Sequence, residues 1–212
     1  MIKGIIFDLD GVVIESERKR FKDLKKVLKK YSYKLNKNDF KKLIGKKTGF
    51  FLEERFPEMT KKTRDSIIEE RKSILKKTIN EIKLIPGILP LLNYLKSKKY
   101  RIALVTGASS AEKIIKEKKI RNFFDVLISG KDFKKSKPDP ESYLLALKKM
   151  KLKPEEAVII EDSLAGIEAA KNAKCKVFAL QTYFSKKELS KAGKQFKNHY
   201  DILRYIKSKA DF

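Results

Sequence analysis

Five short apolar runs, each stopping at or just before polar residues, constrain this chain more than any other feature. They are Ile5-Ile6-Phe7, Ile102 to Val105, Val126 to Ile128, Val158 to Ile160 and Val177 to Leu180. Continuous runs this short have the length and hydrophobicity of strands buried on both faces. Segments with helical spacing lie between the later runs, at Ala111 to Lys118, Pro140 to Met150 and Ser163 to Ala173. Strand and helix in alternation predict a parallel sheet covered on both faces, with right-handed crossovers. The expected fold class is α/β, a doubly wound, Rossmann-like core.

From about Glu15 to about Lys83 this rhythm breaks. Phe21, Leu24, Val27, Leu28 and Tyr31 form one apolar stripe, and Ile67, Ile68, Ile74 and Leu75 imply a second long helix. No convincing strand interrupts them, so an all-α insertion is expected. Pro86-Gly87 reads as the turn that returns the chain to a helix from Ile88 to Leu95. The expected division assigns residues 1–14 and 84–212 to the core and 15–83 to the insertion, within a length that suffices for both.

In an open parallel sheet, ligands bind beyond the carboxyl ends of the strands. Four polar clusters fall there. Asp8-Leu9-Asp10-Gly11-Val12 follows the first strand, where two carboxylates one residue apart face one pocket or else form a capped turn. In Thr106-Gly107-Ala108-Ser109, a hydroxyl and free N–H groups make a phosphate-oxygen site, or Ser109 simply caps the next helix. Lys137-Pro138-Asp139-Pro140 holds a lysine on a rigid turn, fit to bridge a carboxylate and a phosphate, although a surface lysine is the ordinary case. Glu161-Asp162-Ser163 sets two carboxylates side by side, which points to a hard cation or to a helix cap. Their shared placement after strands argues against coincidence.

Composition adds exclusions. Lys+Arg number 52 against 27 Asp+Glu, a formal net charge of +25 with lysines spread through nearly every segment. Such a field attracts phosphorylated metabolites or nucleic acid, but the even spread favours a lysine bias on solvated faces. The single cysteine, Cys175, excludes an intramolecular disulfide framework and a multi-thiolate zinc site and reads as a buried small hydrophobe. Asp8 and Asp10 interrupt the N-terminal apolar run too early for a signal or a membrane span, so a cytoplasmic protein without a membrane partner is expected.

Together, FDLDGVV, LVTGAS, KPDPE and IIEDSLAGIEAAKNA resemble the four motifs of the haloacid dehalogenase-like superfamily, from Lys3 to about Leu180. The likeness is to the branch of phosphoglycolate phosphatase-like enzymes, sugar phosphatases and β-phosphoglucomutase, whose small helical cap matches the insertion in position. The resemblance implies a phosphatase with Asp8 as nucleophile, Asp10 as general acid/base, and Thr106, Lys137 and the Gly107 N–H on the phosphate. It also implies Mg²⁺ on Asp8, the Asp10 carbonyl and Asp162, with Glu161 a further or water-mediated ligand. Dehalogenases of the superfamily lack a comparable second aspartate, which favours phosphoryl chemistry. Substrate recognition is expected from Arg20 and from Lys46 and Lys47 in Leu43-Ile44-Gly45-Lys46-Lys47-Thr48, which resembles the specificity loop; the two lysines either bind a distal anionic group of the substrate or lie on a solvated face.

Where many relatives read Asp-Ser, this chain has Glu15-Ser16. Near Arg20 the similar mutases carry a histidine, whereas His199, the sole histidine, lies near the C-terminus. The expected function is therefore hydrolysis of a small phosphorylated metabolite, with a β-phosphoglucomutase-like phosphotransferase as the alternative. A basic nucleic-acid-binding protein on a retained fold is the reading from another class, and the intact motifs weigh against it. The motifs are compatible with a monomer.

Overall fold

The computed structural model describes residues 1–209 and 212; residues 210 and 211, within the expected core segment, lie outside the described residues. Six parallel strands form the main sheet: β1 (Gly4–Asp8), β4 (Arg101–Val105), β5 (Val126–Ile128), β6 (Ala157–Glu161), β7 (Lys176–Leu180) and β8 (Lys194–Phe196). Their spatial order is β5-β4-β1-β6-β7-β8. The chain thus builds outward from β1 in one direction and then in the other, leaving β1 between β4 and β6 at the switch point where ligands bind.

Alternate strand residues enter different cores, as a period of two requires. Ile5, Phe7, Ile102, Leu104, Val158 and Ile160 point to one face. That face is covered by α5 (Ile88–Ser97), α6 (Ala111–Glu117) and α9 (His199–Lys207). Ile6, Ala103, Val105 and Ile159 point to the other, under α7 (Glu141–Met150) and α8 (Leu164–Asn172). Cys175 is buried, and burial pushes its thiol up to about 12, so it is inert packing.

In chain order, helices α1 (Glu17–Lys30), α2 (Lys37–Leu43), α3 (Thr48–Arg55) and α4 (Lys61–Thr78) come after β1 and before the other strands of the main sheet. They share a core of their own, in which Leu24, Val27, Leu28, Phe51, Leu52 and Ile67 are buried and Phe21 and Tyr31 pack against them. Leu75 departs from the second expected stripe and packs against the sheet's core. The insertion is not wholly helical at its root, because β2 (Ile14–Glu15) pairs antiparallel with β3 (Lys83–Leu84). Two-residue strands carry too little pattern to be read from sequence.

The helical unit rests directly on the sheet domain. Phe40 of α2 meets Tyr183 edge to face at 5.6 Å, and Lys41 pairs with Glu188 at 2.6 Å. At the sheet's far end, β8 and α9 have no counterpart in the expected elements. His199 opens α9, fully buried, with Nε2 donating to the Val12 carbonyl at 2.6 Å. A residue remote in sequence thereby braces the loop after β1.

Burial pushes the His199 imidazole down to about 4, against the hydrogen bond's opposing pull. A depressed native pKa means that stability is complete above the unfolded value of about 6.5 and is lost as pH falls toward 4. Between pH 7 and 4.5, denaturant unfolding of the wild type is expected to lose about 2–3 kcal/mol more than that of His199→Gln. Equal pH slopes for the two proteins contradict this account.

Candidate active site

The carboxyl ends of the three central strands converge. Asp8 closes β1 level with Val105 of β4, and Phe7 lies level with Ile160, which brings Glu161 beside Asp8. Thr106 follows Val105 directly. Lys137 reaches this point from the loop before α7, and its Nζ donates to Asp8 Oδ1 and to Glu161 Oε1, both at 2.5 Å. All three side chains are buried. Burial opposes charge on Lys137, but Asp8 and Glu161 outweigh it and hold the ammonium well above its ordinary range.

Glu161 is saturated. Besides Lys137, its Oε1 accepts from the Tyr143 hydroxyl at 2.8 Å, and its Oε2 accepts from the Asp162 and Ser163 amides and the Ser163 hydroxyl, each at 2.9 Å. Burial alone raises its pKa, yet Lys137 and these hydrogen bonds leave it below the usual range. A Cβ at position 166 would lie 1.7 Å from Glu161 Oε1, so Gly166 admits the carboxylate against α8. The resemblance implies Glu161 as a further or water-mediated metal ligand; in this structure its two oxygens accept from Lys137, from Tyr143 and from the start of α8.

Asp10 is held from two sides. Ser16 Oγ donates to its Oδ1, and Thr106 Oγ1 donates to its Oδ2 at 3.1 Å while accepting from the Ala108 amide at 3.0 Å. Thr106 therefore faces Asp10, and both line one cavity. Gly107 lines the same cavity beside it. Ser109 is not the cap of α6; Ser110 occupies that position without a side-chain capping bond. Ser163 does cap α8, accepting from the Gly166 amide at 3.0 Å.

Asp162 is the exception to this pairing. It is 1% exposed, and among the described residues neither of its carboxylate oxygens has a hydrogen-bond partner. Burial, reinforced by Glu161, Asp8 and Glu17, pushes its carboxyl well above the ordinary range. Gly11, at φ 81°, passes so close that a Cβ there would lie 2.0 Å from Asp162 Oδ2. Among the described residues, no three His, Cys, Asp or Glu side chains gather into a cage. Magnesium does not need one, since it binds through one or two carboxylates and keeps several waters. An orphaned buried carboxylate near Asp8 fits such an ion.

A cavity of about 450 Å³ opens from Asp8 and Asp10 to the helical unit. Its wall includes all three residues expected to read the substrate, Arg20, Lys46 and Lys47, but each is already engaged. Arg20 Nη1 binds both oxygens of Glu17, at 3.0 and 3.1 Å, and Nη2 donates to the Lys46 carbonyl. Lys46 pairs with Glu54. Lys47 crosses to the sheet domain, where Nζ donates to the Phe133 carbonyl at 3.0 Å and sits 3.9 Å from the Phe133 ring centroid. Burial of Glu17 raises its carboxyl to about 7 despite Arg20. Sequence reasoning missed Tyr143, Glu17 and Arg71 here. Only Tyr143 left a signal, since it lies one helical turn after Pro140.

A carboxylate held by a buried lysine at the switch point of a parallel sheet marks an α/β enzyme that handles an anionic ligand. The family model of haloacid dehalogenase-like hydrolases matches residues 5–180. A phosphorylated carbohydrates phosphatase of Thermotoga maritima is 30% identical over 179 residues, 81% of this chain and 82% of that protein. A phosphoglycolate phosphatase of Aquifex aeolicus is 32% identical over 176 residues, 81% of each. The crystal structure of a β-phosphoglucomutase from Clostridium difficile matches with a TM-score of 0.90 at 25% identity, over 98% of this chain and 96% of that one. The chain belongs to the haloacid dehalogenase-like hydrolase family, and its enzyme class is phosphoric monoester hydrolase.

Proposed function

We propose that this enzyme is a Mg²⁺-dependent phosphatase that hydrolyses a small phosphorylated metabolite through an aspartyl-phosphate on Asp8. The observation that carries this reading is Asp8 itself, with Oδ1 held by Lys137 and its carboxylate on the wall of a cavity that it shares with Asp10. Lys137 holds the nucleophile in place and offsets the repulsion between carboxylate and phosphate. Attack by Asp8 on phosphorus breaks the ester P–O bond, and Asp10 gives its proton to the departing alkoxide. Asp10 then takes a proton from water; that water attacks phosphorus, and the Asp8–phosphorus linkage breaks to release inorganic phosphate. Ser16 and Thr106 keep Asp10 aimed during both transfers.

Asp162 and Asp8, with the Asp10 carbonyl, would hold Mg²⁺. When bound, that ion supplies charge neutralisation for phosphoryl transfer. The helical unit acts as a cap that excludes water from the cavity. Relatives named as phosphatases of phosphorylated carbohydrates and of phosphoglycolate support a small organic phosphate as substrate. The mutase alternative is disfavoured by position 20, where Arg20 is locked onto Glu17 and the Lys46 carbonyl.

A panel of phosphomonoesters tests the reading. Steady phosphate release is expected, abolished by exhaustive chelation, restored by Mg²⁺ and inhibited by Ca²⁺, whose looser coordination misplaces the reactants. Conversion of β-glucose 1-phosphate to glucose 6-phosphate should be slower than phosphate release even with a bisphosphate primer. Isomerisation that outruns release would hand the assignment to the mutase, and turnover surviving chelation would remove the metal.

A further inference from the structure

The cavity's cations are almost all spoken for. Lys19, Arg20, Lys46, Arg64 and Lys72 each pair with a carboxylate, respectively Asp23, Glu17, Glu54, Glu53 and Glu69. Lys137 is shared by Asp8 and Glu161, and Lys47 is bound to backbone carbonyls. Among the described residues, Arg71 alone of the cavity's cations makes no ion pair or hydrogen bond, and its Nε is buried without a partner.

Its acidic neighbours do not fill the gap. The carboxylates whose charge reaches Arg71 are Asp10, Glu17 and Asp23. Asp10 is held by Ser16 and Thr106, Glu17 by Arg20, and Asp23 by Lys19. Arg20 stands near as a second positive charge. Burial lowers the guanidinium to about 10, which leaves it a cation at neutral pH. A largely buried cation without a counter-charge is unfavourable unless something else supplies one.

Helix geometry aims the group. Arg64, Ile68, Arg71 and Leu75 recur at the three- and four-residue spacing that lines one face of α4, and all four line the cavity. Arg71 is thus presented between two apolar side chains, on the insertion's side of a space whose other wall holds Asp8 and Asp10. A guanidinium has a planar fork of donors that matches an oxyanion bidentately.

We infer that Arg71 binds a second anionic group of the substrate, so that the preferred ester is a short phosphomonoester ending in a carboxylate or a second phosphate. The inference rests on the phosphatase reading for the first phosphate and adds the substrate class. Lys46 and Lys47, to which the sequence assigned this role, are tied down elsewhere.

Three synthetic series test it: ω-carboxyalkyl, ω-phosphoalkyl and ω-hydroxyalkyl phosphates of matched chain length. The ratio of kcat/KM for anionic over hydroxyl tails is the readout, since it cancels any common loss. In the wild type this ratio should exceed about 30, and Arg71→Gln should bring it close to one. Arg71→Lys, which keeps charge without the fork, should fall between them and guards against a folding defect. Which of the two anionic series is favoured identifies the oxyanion. A wild-type ratio near one, or a ratio that Arg71→Gln leaves unchanged, overturns the inference. Calorimetric binding of the same esters to Asp8→Asn, with and without Arg71→Gln, gives the ratio independently of turnover. Failure of hydrolysis with an intact binding ratio would sink the phosphatase reading alone.

Discussion

Asp8→Asn is expected to lower phosphate release by about 10⁴-fold or more while the protein stays folded. The amide is a poor nucleophile and a poor ligand for a hard cation, so both contributions of the carboxylate are lost together. Stability should not follow activity. Burial and the neighbouring Glu161 and Asp10 push the Asp8 carboxyl up, so its charge is held against a native-state penalty that the neutral amide removes. Lys137 meanwhile keeps Glu161 as its partner. Thermal unfolding should therefore occur at or above the wild-type temperature. Single-turnover phosphate release together with thermal melts decides the matter, and wild-type-like turnover by the variant would refute Asp8 as the nucleophile.

Lys137→Met should do the opposite to stability. It removes the cation that two buried carboxylates share and leaves Glu161 with only the Tyr143 hydroxyl and the donors at the start of α8 among the described residues. Breaking a buried pair by deleting one partner costs about 3–5 kcal/mol, because the survivors remain desolvated and charged. Phosphate release should fall by about 10²–10³-fold or more, as for the loss of a preorganised charge. Adding Glu161→Gln should recover part of the stability and none of the activity, which separates the two roles. Urea melts of the single and double variants measure the first effect. A Lys137→Met protein as stable as the wild type would mean that the lysine carries no structural charge compensation.

Much of this was legible in the sequence because it depends on local pattern. The buried strands are continuous apolar runs, and all five expected runs form strands of the main sheet. Asp8, Thr106 and Glu161 could be placed because they follow strands whose ends the topology must gather. What remained hidden depends on contacts across the chain. β8 contains Lys194-Gln195-Phe196, with one buried apolar residue, and is a strand only because β7 offers it an edge. His199 looked remote and lies against Val12. Lys46 and Lys47 had the right charge in the right loop, but Glu54 and the Phe133 carbonyl claim them, and no sequence signal distinguishes them from Arg71. Charge type is a local property, whereas the state of being unpaired belongs to the folded molecule.

The small ribbon of β2 and β3 has a consequence for how such an enzyme changes over generations. The helical unit leaves and rejoins the sheet domain through two adjacent, hydrogen-bonded strands. To the sheet, the whole unit is topologically one hairpin tip, and an exchange of helices there disturbs no strand register. Substrate choice can therefore drift while the hydrolytic apparatus is preserved. One thread crosses this modular boundary: Ser16, which orients Asp10, lies on the far side of β2. Any transplanted unit must bring its own hydroxyl to that position, so the graft that sets specificity also carries part of the acid/base alignment with it.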